Sequence, residues 1–157
     1  MIGPYDFTLQ YGRLFFDLRD GKVPGCPKGG VSFGHVSQVA KAHIAAIQKG
    51  ESGQGYICAG ENITYQALFQ TIAEKFGKNA PKFIMPQSIF VAYGYMMQTL
   101  SFITNKPPEV DPGVARYMSI NAYYDSSKAM DTLDYQVIPV SKMIDDAYDW
   151  YVDNNYL

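Results

Sequence analysis

The amino-acid sequence predicts an α/β fold, a small mixed domain of several helices with few short strands. Segments with apolar residues at helical spacing alternate with short runs rich in Val, Ile, Phe and Tyr that Gly and Pro bound. No internal repeat interrupts the alternation. The chain is 157 residues long, 47% hydrophobic and 18% charged, which suits one packed domain and not a disordered chain.

The elements follow in order. "YDFTLQYGRLFFDLRDGK" spaces Phe7, Tyr11, Leu14, Phe15 and Leu18 as a helix does, with Asp6 as its N-cap and Gly21 as its stop. The Gly- and Pro-rich loop "GKVPGCPKGG" leads into a strand, "VSFGHV". Ser37 then caps a helix whose apolar face is Val36, Ala40, Ile44 and Ile47. "GYICAG" is the next strand, and Thr64 caps a helix with Tyr65, Leu68, Phe69, Ile72, Ala73 and Phe76 on one side. "KFIMP" reads as a short strand. Pro86 opens a helix from Gln87 to about Ile103 that is apolar on more than one side, the mark of a helix buried between neighbours. "DPGVARYMSI" gives a shorter helix, and "AYYDSSKAMDTLDY" an extended piece followed by another. After Pro139 a last helix lines up Met143, Ile144, Ala147, Trp150 and Tyr151.

Composition narrows the partners. Thirteen basic and fifteen acidic side chains leave a net charge of −2 with no Lys/Arg block, which argues against nucleic acid. The apolar run "IFVAYGYMM" is far short of the ~20 residues of a membrane span, so no membrane partner is expected. The N-terminus carries no secretory pattern, and Cys26 and Cys58 are read as free thiols in a reducing cytoplasm. No metal site is expected. Aromatics at 15% fit a core or a surface for an aromatic ligand.

Several motifs look catalytic. Tyr124 and Lys128 fit Y-x-x-x-K, in which a helical turn brings lysine beside tyrosine and lowers the hydroxyl pKa. Asp125 and Ser126 are cap-type residues, so Tyr124 falls before the helix and the pair does not converge. "GESGQG" runs from helix to strand, the reverse of a dinucleotide loop, and reads as a turn. His43 reads as a packed imidazole on the inner edge of its helix. His35 ends a strand, where α/β folds often bind ligands. Asp145, Asp146, Asp149 and Asp153 read as a solvated face, and no residue is nominated as catalytic.

In their order, "GPYD", the long run from Gly29 to Lys78, "PKFIMP", "YYDSSKAMDTLDY" and "DDAYDWY" resemble the C-terminal half of extended short-chain dehydrogenase/reductases. The likeness is to the dihydroflavonol 4-reductase-like and NAD-dependent epimerase/dehydratase group. It implies that residues 1–157 are a substrate-binding domain normally attached to a Rossmann domain, with that dinucleotide-binding half absent here. The resemblance further implies NAD or NADP in the complete enzyme, with none expected to bind this chain alone. It places Gly3 and Pro4 by the nicotinamide, Tyr5, Phe33 and His35 by a small-molecule substrate, and Tyr93 and Met97 on a helix that closes the pocket. Two departures stand out. Val31 replaces the arginine with which nucleotide-sugar epimerases grip a diphosphate, and Gln38 replaces an acidic residue. The expected function is therefore the substrate-binding portion of an NAD(P)-dependent reductase or epimerase/dehydratase acting on a carbonyl or alcohol. It would be inactive alone and would self-associate through exposed apolar surface. The alternative is a stand-alone, non-enzymatic α/β module that binds an aromatic ligand or a protein.

Overall fold

A computed structural model describes residues 1–108 and 110–157. Its first helix, α1 (Gly12–Arg19), begins later than the apolar spacing suggests. Tyr5 and Leu9 have φ of 70° and 53°, and this left-handed backbone breaks any helix between Asp6 and Tyr11. β1 (Cys26–Pro27), inside the segment expected to be a loop, pairs in parallel with β4 (Ile84–Met85). β2 (Gly30–Phe33) is the centre of a second small sheet. It runs antiparallel to β3 (Glu61–Thr64), with Phe33 opposite Glu61, and parallel to β5 (Asn121–Ala122).

α2 (Val36–Lys49) is capped by His35, two residues before the expected Ser37, because the imidazole accepts the Ser37 backbone N–H. Its buried side is Val39 and Ala42, joined by Ala45 and Ala46. Ile44 and Ile47, assigned to the inner face by their size, are 60% and 87% exposed. The inner face is made of small residues that let α2 approach α6 (Ser127–Leu133), whose Ala129 and Leu133 share that core. "GYICAG" is not a strand. Ser126 replaces the ladder there: its hydroxyl accepts the Ala59 N–H and donates to the Ala59 carbonyl, both at 2.9 Å.

α3 (Tyr65–Glu74) is capped by Thr64 as expected, and Tyr65, Leu68, Phe69, Ile72 and Ala73 are buried. α4 (Gln87–Thr104) packs on α5 (Pro112–Tyr117) around Phe90 and Ala115. α7 (Val140–Asp153) buries Met143, Ile144, Ala147 and Tyr151, with Trp150 half-buried. The main core gathers α1, α3, β2 and α7 through Phe15, Phe33, Leu68, Ile72, Met143 and Tyr151. No helix among the described residues is long and apolar enough to cross a membrane.

Candidate functional site

The N-terminal turn, the end of β2 and the middle of α7 meet at His35. The bridge between Ile2 and His35, closed by Ile2 N–H to the Gly34 carbonyl and Val36 N–H to the Ile2 carbonyl, lays the turn against the start of α2. His35 is buried at 6% exposure. Its Nδ1 accepts from the Ser37 N–H at 3.1 Å and lies 2.7 Å from the Ser37 hydroxyl, which assigns the ring proton to Nε2. Nε2 is 3.2 Å from an Asp146 carboxylate oxygen but is not aligned with it as a hydrogen bond. The contact is an electrostatic one, and the buried N–H lacks a well-directed acceptor. Lys142 holds the other Asp146 oxygen at 2.6 Å. Asp146 thus faces the interior, unlike the solvated carboxylate expected from its neighbours.

Gly3 sits against this group with φ of 147°, and a Cβ there would come within 2.6 Å of Val36 and 3.4 Å of His35 Nε2. Only glycine fits. Gly3 is therefore buried against protein, while Pro4 is half-buried and Tyr5 69% exposed. Tyr5 adopts a conformation that disfavours non-glycine residues, costing ~1–2 kcal/mol. That conformation sets its ring beside Phe7 at 6.3 Å and Trp150 at 6.1 Å. Among the described residues no glycine loop runs from strand into helix to cradle the phosphates of a dinucleotide.

Asp6 anchors the turn from below. Its oxygens accept the backbone N–H groups of Gln10, Tyr11 and Gly12 at 3.0 Å each and the Tyr151 hydroxyl at 2.9 Å. Burial pushes the carboxyl upward, but the bonds from Gly12, Gln10, Tyr151 and Tyr11 outweigh it and hold the group below its usual range.

Phe33 is 2% exposed and meets Tyr11 edge-on at 5.2 Å. Three further tyrosines gather near it. Burial raises the Tyr11 hydroxyl, with Tyr117 adding to the effect; it raises Tyr65, helped by Tyr11 and Tyr117; and it raises Tyr117, which is hydrogen-bonded to Tyr124. Tyr11, Tyr65 and Tyr117 therefore stay protonated near neutrality. No short motif announces this cluster; its only trace in the sequence is a count of 13 tyrosines. Tyr93, on α4, packs with the Met85–Phe90–Ala115 core, and Met97 is half-buried one turn on.

The remaining candidates separate. Tyr124 lies outside α6, as the capping residues imply, and Lys128 turns to Gln54 at 2.6 Å and to the Tyr56 ring. His43 is exposed and bonded to the Val39 carbonyl, not packed inside. A groove of about 430 Å³ lies between α3 and residues 79–82, and none of the sequence-nominated residues lines it. No group of three or more metal-ligating side chains occurs among the described residues.

No protein-family model matches the chain. A Synechocystis protein provisionally named dihydroflavonol 4-reductase is 24% identical over 161 residues, covering 99% of this chain and 47% of its own length. The crystal structure of gox2253 superposes with a TM-score of 0.76 at 26% identity, over 99% of this chain and 48% of the other. In sequence and fold the chain is similar to about half of an extended short-chain dehydrogenase/reductase, consistent with the C-terminal half. A second relative is a 3beta-hydroxysteroid-dehydrogenase/decarboxylase from Arabidopsis thaliana, 28% identical over 92% of the chain and 37% of its own length. A UDP-glucuronic acid 4-epimerase from Bacillus cereus, solved with NAD, shares the fold (TM-score 0.62, 16% identity, 97% of this chain and 42% of the other). The chain spans about a third to a half of the length of the curated relatives it matches.

Proposed function

We propose that the chain is the substrate-binding region of an NAD(P)-dependent reductase or epimerase/dehydratase. The dinucleotide-binding half and the reacting acid–base groups belong to another part of the enzyme. The observation that carries this reading is the match over 99% of this chain but 47% of its reductase-named relative. When bound, the nicotinamide supplies hydride chemistry. The residues here bind, orient and exclude water. Tyr5 presents an exposed ring beside the Gly3–Pro4 turn on the substrate side, and Phe33 and His35, both buried, support that side from beneath. Tyr93 and Met97 sit on the helix that closes over it.

The substrate is an uncharged carbonyl or alcohol, not a nucleotide sugar. Val31 is 8% exposed within β2, opposite Ile63 and Ala122, and offers nothing to a diphosphate. Both cysteines are free thiols, buried or half-buried, which suits a cytoplasmic enzyme.

The test is NADPH titration of this chain alone and of the chain joined to a dinucleotide-binding half from a relative. The joined protein binds and reduces carbonyls; the isolated chain gives no saturable signal. Nanomolar binding by the isolated chain would refute the reading.

A further inference from the structure

α4 presents two apolar faces and only one is covered. Phe90, Gly94 and Met97 point inward, and Gly94 comes so close to α5 that a Cβ would meet the Asp111 and Pro112 backbone at 3.0 Å. On the outward side Ile89, Met96 and Ile103 follow each other at intervals of seven and are 51%, 57% and 76% exposed. Leu100 and Phe102, at 45% and 77%, widen the stripe. Ala92 and Thr99 occupy the small positions between. Seven-residue spacing with small residues between is the pattern of a seam that receives another helix.

We propose that this seam pairs with the same seam of a second copy, antiparallel, across a two-fold axis at Met96. Three features select a copy of this chain. The helix carries no Asp, Glu, Lys or Arg, so two identical faces meet without repulsion. The exposed apolar side chains amount to roughly 600 Å² per copy, taking ~200 Å² for each large side chain, the lower end of what a stable interface buries per partner. Ile89 and Ile103 lie symmetrically about Met96, so Ile89 of one copy falls opposite Ile103 of the other, as an isologous contact requires, and Leu100 falls opposite the small Ala92. Antiparallel pairing also sets opposite helix ends together, which their dipoles favour. A lipid surface is the less suited partner, because interfacial helices carry basic residues on the polar face and α4 has none.

The experiment is light scattering on the full chain at tens of micromolar, with cysteine cross-linking in a Cys58→Ser background. The expected mass is twice 17.5 kDa. Met96→Lys and Ile103→Lys halve it with unchanged far-ultraviolet circular dichroism, whereas Ile47→Glu, on the exposed face of α2, leaves it intact. Met96→Cys oxidises to a covalent dimer, Ile103→Cys alone does not, and mixing Ile89→Cys with Ile103→Cys does. Should a lysine variant misfold, the cross-linking pattern decides. A wild-type monomer at ~100 µM overturns the proposal, whether or not it floats with phosphatidylcholine vesicles. So does a dimer that survives both lysine variants, or one that Ile103→Cys locks to itself. None of these outcomes bears on NADPH binding by the joined enzyme, so the two readings fail separately.

Discussion

Tyr151 and Asp6 lie 145 residues apart and are joined by one hydrogen bond of 2.9 Å. The carboxylate also ties down the N–H groups of Gln10, Tyr11 and Gly12, so one side chain closes the turn onto α1 and α7. A bond to a charged acceptor contributes ~1.5–3 kcal/mol, and four sharing a carboxylate are not additive. Asp6→Ala should therefore cost ~3 kcal/mol, lowering Tm by about 6–12 °C for a chain of this size. Tyr151→Phe should cost ~1.5 kcal/mol, and the double mutant less than the sum by ~1 kcal/mol. The pH dependence has a fixed sign. Asp6 is held below its unfolded pKa, so its contribution is complete above about pH 4 and is lost as pH falls through the lower folded value. Urea unfolding followed by circular dichroism at pH 7 and below pH 4 measures both. Additivity within ~0.3 kcal/mol, or an unchanged penalty for Tyr151→Phe in acid, would refute the anchoring role.

Thr64→Ala removes the side-chain acceptor of the Ala67 N–H and should lower stability by ~1 kcal/mol in the same unfolding assay, with Thr64→Ser recovering most of it. Met143→Ala empties a fully buried position in the main core and should cost ~3 kcal/mol, read as a lower urea midpoint at unchanged slope. Ile47→Glu should leave the isolated chain as stable as wild type within ~0.5 kcal/mol, yet weaken its association with a dinucleotide-binding half at least tenfold by titration calorimetry.

Where a helix packs through large residues against this chain's own core, its inner face was legible in the sequence. α3 and α7 bury most of the residues that their spacing nominates, because large apolar side chains such as Leu68, Phe69, Met143 and Ile144 fill this chain's own core. α1 was less legible. The N-cap is Tyr11, not Asp6; the Asp6 carboxylate instead accepts the Gln10, Tyr11 and Gly12 N–H groups across a left-handed turn that Tyr151 ties down from the far end of the chain, a contact that local spacing cannot encode. His35 was singled out as a site residue for its place at a strand end. Its link to Asp146 was invisible, since Asp146 shares its helix with three carboxylates that look alike in one dimension. The tyrosine cluster beside Phe33 draws on α1, α3, α5 and the segment after β5, so only the fold assembles it.

Two misreadings share one cause. The periodicity of α2 chose Ile44 and Ile47 as its inner face, and alternation chose "GYICAG" as a strand. In the structure Tyr56 and Cys58 turn toward the small core under α2, while Ile57 is 51% exposed. The segment therefore keeps the two-sided habit of a strand without a partner strand, and α2 keeps a second apolar face with nothing on it. Isolated apolar side chains on a surface are ordinary. Here three isoleucines lie on adjoining elements whose opposite sides are packed, which is how a helix and a strand behave when a further layer covers them. The dinucleotide-binding half of the proposed enzyme is such a layer, and the relatives are long enough to contain one. On that reading the isoleucines are where substituting a charge should separate assembly from folding.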